Sequence, residues 1–321
     1  MTSTSAAVAR LIALDWGTTS LRAYLLGDGG AVLERRSEPL GILHVPERDF
    51  GAVFDLVTKE WRARWPSLPA IASGMIGSAQ GWIEAPYASL PADLESLARA
   101  LVREPGAGVL IVPGIAQRGS MPDVMRGEET QIFGAMVRSA AMSLGGVAVL
   151  PGTHSKWVRV DGRRVERFTT YITGEMFGVL SQHSILGRLA VASAGDAAPT
   201  EAFLRGVRHA RDVAAGLASL VFAARSAVLV GDLPAGDSLE YLSGVLIGDE
   251  IRAGLASGDR PRVLIGEPAL CDRYAEALRE FGVSEIEMPR DTAPAGLWQI
   301  AIRAVPELQR VDGPSRRPVS E

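Results

Sequence analysis

Short apolar runs open the chain, and their polar positions recur at the spacing of strands before they recur at the spacing of helices. LIALDW (11–16) is a continuous apolar run ending in Asp and Trp, which predicts a buried strand. LRAYLL (21–26) alternates, GDGG (27–30) is a turn, and AVLERRSEP returns as a third strand. DFGAVFDLVTKEWRARW (49–65) switches to helical spacing, with Phe50, Val53, Phe54, Val57 and Trp61 on one face. AIASGMIGS (70–78) predicts a strand running into a Gly-rich loop, PADLESLARALV (91–102) a helix, and GVLIVPG (108–114) a further buried strand. VMRGEETQIFGAMVRSAAM (124–142) predicts a helix beginning near Arg126–Glu129.

The order of elements then restarts. VAVLPG (147–152), KWVRVD (156–161) and RVERFTTYIT (164–173) predict a second three-strand meander. Helices are expected over 174–186, 200–212 and 238–255. RVLIG (262–266) reads as a strand, PALCDRYAEALREFG as a helix stopped by Gly282, SEIEMP as a last strand and TAPAGLWQIAIRAV as a last helix. Laid over each other with one offset, 14–30 and 149–165 match at Gly17/Gly152, Thr18/Thr153, Ser20/Ser155 and Gly27/Gly162. The chain therefore reads as an α/β protein with an internal duplication. The expected boundaries are a first domain over 1–145, a second over 146–305, and a loose tail over 306–321.

Composition adds limits. A formal charge of −4 gives no basic field for nucleic acid. No stretch reaches the ~18 apolar residues of a membrane span. The opening MTSTSAAVAR is too polar for a secretory core. The single cysteine, Cys271, allows no intramolecular disulfide and reads as a buried apolar residue. A soluble cytoplasmic protein without nucleic-acid or membrane partners is the expectation, with its oligomeric state left open.

A Gly-Thr-x-Ser turn between strands exposes backbone N–H groups and hydroxyls that can cradle phosphate oxygens without a full positive charge. Gly17, Thr18, Thr19 and Ser20 form one such turn, and Gly152, Thr153, His154 and Ser155, followed by Lys156, form the other. Neither G-x-x-x-x-G-K-S/T nor G-x-G-x-x-G after a strand occurs, which excludes those two nucleotide sites. No His/Cys/Asp cluster has zinc-ligand spacing. Asp15 ends an apolar strand, where a carboxylate is costly unless it meets a cation or donors.

DWGTTSLR (15–22), PGTHSKW (151–157) and VLIGEPAL (263–270) together resemble the actin / sugar kinase / Hsp70 superfamily. The resemblance implies a duplicated ribonuclease H-like, actin-like ATPase fold of two domains with an interdomain cleft. It implies ATP between two phosphate hairpins, Mg²⁺ organised by Asp15, and adenosine near Gly266. ALDWGTTSLRAYL, SGMIGSAQGWIEAPY (73–87), VMRGEETQIFGA (124–135), LPGTHSKWV (150–158) and TGEMFGVLSQHSILG (173–187) narrow this to the 2-dehydro-3-deoxygalactonokinase family, over about residues 10–304. What that family implies is ATP-dependent phosphorylation of the 6-hydroxyl of 2-dehydro-3-deoxy-D-galactonate. The alternative is an exopolyphosphatase-like phosphatase or NTP hydrolase, or another sugar kinase of the superfamily.

In the second hairpin Leu150 stands where the first has Asp15, so a proton acceptor must come from elsewhere. The helix start RGEET (126–130) supplies it by resemblance to exopolyphosphatase-like members, whose Gly-x-Glu-Glu helix start carries the catalytic Glu: Glu128 first, with Glu129 as the alternative or a substrate contact. Arg126 beside them can grip a substrate carboxylate. The family match further implies sugar-acid contacts from Ser73, Gly74, Met75 and Ser78. His154 can donate to a phosphate oxygen, and Lys156 and Arg22 can neutralise phosphate charge.

Overall fold

The computed structural model describes residues 8–189 and 200–309, which form two compact units. The first opens with β1 (Ala9–Trp16), β2 (Leu21–Gly27) and β3 (Val32–Glu38), an antiparallel meander. Then come α1 (Phe50–Arg64), β4 (Ala70–Ser73), β5 (Ala88–Ser89), α2 (Leu94–Arg99), β6 (Val102–Arg103) and β7 (Leu110–Ile111). The sheet order is β3-β2-β1-β4-β7-β6, with β4 parallel to β1. β8 (Ile115–Gln117) and β9 (Asp123–Met125) join β5 in a small second sheet before α3 (Glu128–Arg138). β1 is central, so both its faces are covered, which is why its sequence does not alternate. The five apolar positions of α1 are all buried, as their spacing predicts, and Asp49 caps the helix by accepting from the Ala52 N–H.

The second unit repeats the plan. β10 (Gly145–Leu150), β11 (Ser155–Asp161) and β12 (Arg164–Tyr171) form a meander. The helices α4 (Thr173–His183), α5 (Glu201–Asp212), α6 (Leu217–Leu229) and α7 (Ser238–Ala256) follow. β13 (Pro261–Leu264) then pairs parallel with β10, giving the order β12-β11-β10-β13, and α8 (Pro268–Glu280) follows it. In both units the strand after the meander returns to the far side of its first strand. This is the duplicated ribonuclease H-like, actin-like ATPase plan.

Three expectations need correction. α9 (Thr292–Ala304) belongs to the first unit, so the compact units are 139–290 and the remainder, not 1–145 and 146–305. The cause is direct contact: a Cβ at Gly296 would fall 1.8 Å from the Thr130 carbonyl of α3, and one at Gly134 1.8 Å from that of Thr292. SEIEMP makes only an isolated bridge, Val263 with Glu287, and no strand. Of the expected tail, 306–309 forms a short 3-10 turn, and 310–321 lies outside the described residues.

The repeat itself is offset differently from the sequence overlay. In the first hairpin Asp15 pairs with Arg22 and Trp16 with Leu21, leaving Gly17–Ser20 as the turn. In the second, Leu150 pairs with Lys156, so the loop is one residue shorter. Lys156 thus occupies the place of Arg22, and Ser155 that of Leu21. A bulge between Ala9 and Leu11 takes up the difference, so Gly27 ends β2 while Gly162 directly follows the last residue of β11.

Candidate active site

The first turn is closed by the Gly17 N–H donating to the Ser20 carbonyl (2.9 Å) and leaves Thr18 and Thr19 exposed. It is braced from behind: Ile42 N–H donates to the Gly17 carbonyl (3.0 Å) and Leu43 N–H to that of Thr18 (3.1 Å). Gly41 packs so closely that an added Cβ would sit 2.3 Å from the Thr19 backbone nitrogen. The second turn has the same brace. Glu175 N–H donates to the Thr153 carbonyl (3.0 Å), and a Cβ at Gly174 would lie 2.5 Å from the Gly152 oxygen. Each bracing glycine falls three residues past the end of the third strand, Glu38 or Tyr171. Gly41 and Gly174 lie beyond the 14–30 and 149–165 segments, and a glycine at one fixed distance from each meander is the sequence signal that marks them.

Around the second turn, Thr153 and His154 are exposed, and His154 Nε2 meets Glu175 Oε2 at 2.5 Å. Gly266, just past β13, comes alongside: its Cβ position is 3.2 Å from the Pro151 oxygen. Ser155 does not face outward. Like Leu21 in the first unit it is fully buried, and its hydroxyl donates to Glu250 (2.7 Å), so that side chain is not offered to a phosphate. Lys156 is also buried and donates to Thr170 Oγ1 at 2.8 Å.

In the first unit the carboxyl ends of β1 and β4 meet the start of α3. Such strand ends are where open parallel sheets place their sites. Asp15 sits beside Ser73 across β1 and β4, and Arg22 Nη1 donates to its Oδ2 at 3.3 Å. Burial pushes the Asp15 carboxyl above its ordinary range, against the pull of Arg22. A nearly buried carboxylate with one long ion pair is a site that a further cation would stabilise.

Gly74 and Gly127 lie back to back, both in the left-handed region (φ 96° and 108°), which only glycine adopts without strain. They bring the loop after β4 against the turn before α3. Ser73 is fully buried, its Oγ 3.4 Å from Thr130 Oγ1, and it packs beneath the loop. Ser78 Oγ donates to the Met75 carbonyl (2.7 Å) and shapes the loop, while Met75 is partly exposed.

At the helix start, Glu128 Oε2 accepts the Arg126 N–H (3.0 Å) and Glu129 Oε2 the Gly127 N–H (2.6 Å). Glu128 is partly exposed, whereas Glu129 is fully buried. Burial, with the neighbouring Glu128 charge, pushes the Glu129 carboxyl up to about 8. Its Oε1 has no hydrogen-bond partner. The Arg126 guanidinium carbon lies 4.3 Å from the Tyr87 ring centroid, and Nη2 donates to the Ala85 carbonyl (2.8 Å). Its Nε and Nη1 are buried without partners among the described residues. Unpaired buried donors and acceptors are costly, and clusters of them mark places built for a polar partner.

Among the described residues no group of three or more His, Cys, Asp or Glu is arranged to hold a metal ion, and no helix is long and apolar enough to cross a membrane. Cys271 is buried, and its thiol is pushed up to about 12, mainly by that burial.

The sequence profile of the 2-keto-3-deoxy-galactonokinase family matches residues 15–300. A probable 2-dehydro-3-deoxygalactonokinase of Rhizobium meliloti is 38% identical over 91% of this chain and 96% of its own length. The 2-dehydro-3-deoxygalactonokinase of Escherichia coli is 35% identical over 91% of this chain and 98% of its own. A crystal structure from Sinorhizobium meliloti, of a protein provisionally given the same kinase name, superposes with a TM-score of 0.84 at 36% identity, covering 92% of this chain and 99% of that one. With the profile spanning nearly the whole of both units, the chain belongs to the 2-dehydro-3-deoxygalactonokinase family of sugar kinases.

Proposed function

We propose that this protein transfers the γ-phosphoryl group of ATP to the 6-hydroxyl of 2-dehydro-3-deoxy-D-galactonate, working in the cytoplasm without nucleic-acid or membrane partners. The observation that carries this reading is the convergence, in one unit, of Asp15, the 73–78 loop and the Arg126–Glu129 helix start. Phosphoryl transfer to an alcohol needs phosphate positioning, charge neutralisation and a proton acceptor. The turns at Gly17–Ser20 and Gly152–His154 offer N–H groups and hydroxyls to phosphate oxygens, and Gly266 stands where adenosine would pass. Magnesium would arrive on the nucleotide, with Asp15 as the carboxylate that reaches it. Glu128 is the base: it is reachable, and a base must be ionised, whereas Glu129 is held mostly protonated at neutral pH and braces Gly127. Arg126, with two unmatched nitrogens, takes the substrate carboxylate. Gly74 and Met75 border the sugar.

The test is ADP release by the purified protein with and without 2-dehydro-3-deoxygalactonate. Release only with the sugar acid is expected. Equal release without it would make the protein a hydrolase, and phosphorylation of the gluconate epimer at the same kcat/KM would show that the site does not pair with the C4 hydroxyl.

A further inference from the structure

Glu250, on α7, is 2% exposed and accepts four hydrogen bonds. Ser155 Oγ (2.7 Å) and Trp157 Nε1 (2.8 Å) donate to Oε1; Thr173 Oγ1 (2.5 Å) and Tyr274 OH (2.7 Å) donate to Oε2. Its two oxygens therefore address two different limbs of the second turn. Ser155 is the first residue of β11, directly after Gly152–His154. Thr173 opens α4, directly before Gly174 and Glu175, which brace that turn from behind. One carboxylate thus ties the strand leaving the turn to the helix start supporting it.

The duplication shows that the fold itself does not need this hub. By hairpin register Ser155 stands where the first unit has Leu21, a fully buried apolar residue. A buried carboxylate is expensive, and replacing such polar centres with apolar packing is often neutral or stabilising. Four donors offset that cost here and fix direction as well as distance.

We propose that Glu250 is a positioning residue for nucleotide binding, holding Ser155 and Thr173 so that the Gly152–His154 turn keeps the spacing its phosphate ligand requires. The inference rests on the reading of that turn as a phosphate turn.

Glu250→Gln keeps the hub. Trp157 Nε1 can only donate, so the amide oxygen stays on its side, and the amide nitrogen meets the Thr173 and Tyr274 hydroxyls, which can turn to accept. Its KM for ATP should stay within about threefold of native. Glu250→Leu severs all four bonds. With the protein folded, it should raise the KM for ATP about tenfold or more, a loss of roughly one decade in binding. The KM for the sugar acid and the kcat at saturating ATP should change far less. If Glu250→Leu does not fold, Thr173→Val, nearly isosteric and missing one donor, decides the matter by the same rise in KM for ATP. The inference is overturned if folded Glu250→Leu, or Thr173→Val in its place, leaves the KM for ATP unchanged, or if Glu250→Gln fails as badly as Glu250→Leu. Gly152→Val separates this from the underlying reading: an unchanged KM for ATP there sinks the phosphate turn itself, whereas a raised one alongside an unaffected Glu250→Leu sinks only the positioning role.

Discussion

Glu129 makes the stability of the first unit depend on pH. Its carboxyl titrates at an ordinary 4.5 when the chain is unfolded and at about 8 when buried. Below 4.5 it is protonated in both states and creates no difference. Between 4.5 and 8 the unfolded chain releases the proton while the folded one keeps it, so stability falls as pH rises, by up to about 1.4 kcal/mol per pH unit. Glu129→Gln, which cannot titrate, should lose this slope: close to native in urea unfolding at pH 4.5, and more stable than native by pH 8. Parallel pH profiles of the two proteins would refute the buried, proton-holding state. Glu128→Gln should instead preserve nucleotide affinity and cut turnover by roughly 10²–10⁴-fold. Normal turnover there, with loss in Glu129→Gln, would move the base one residue along the helix. At this scale the sequence marks the strand ends, turns and helix start that carry the candidate residues, but not which way their side chains point. The Ser155 side chain turns inward because the second loop is one residue shorter, and in a strand a one-residue shift turns a side chain to the opposite face. The burial of Ser73 is not legible locally because its partner, Thr130, is far along the chain.

Elements were more legible than side chains. Both meanders, α1 and the helices α3, α5, α7, α8 and α9 follow from periodicity, because their burial is one-sided or complete. α6 escaped notice: LASLVFAARSAVL is apolar around most of its circumference, with only Leu220 and Ala224 buried, so no stripe marks it. The bracing glycines give the element-scale prediction. Gly41→Ala and Gly174→Ala each drive a methyl into the backbone of a turn proposed to hold phosphate, and overpacking of this kind costs about 1–3 kcal/mol. Both variants should raise the KM for ATP well beyond any change in the KM for the sugar acid. Calorimetry of nucleotide binding would check this, and unaltered affinity in both folded variants would reduce the shared brace to a packing coincidence.

Across the whole molecule, periodicity could find α9 but not where it goes. The boundary expected at 305 failed because the helix nearest the end of the described chain packs on α3, with Trp298 against Gly30 as a second anchor. Removing residues 291–321 should therefore leave β10–β13 protected in hydrogen exchange and release the amides of β1–β4. Protection of both sheets in that truncated chain would show that α9 is dispensable. The same feature dictates an order of birth. On the ribosome, where synthesis runs from the amino end, domains usually fold in the order they emerge. Here the segment 139–290 is continuous and can close as soon as it leaves the exit tunnel, while the earlier-made unit waits, its α3 unclamped, for α9. The unit translated first is the one that finishes last, so a nascent chain with α9 still inside the tunnel would carry a mature second unit and leave the Asp15–Glu128 unit open to proteases and chaperones.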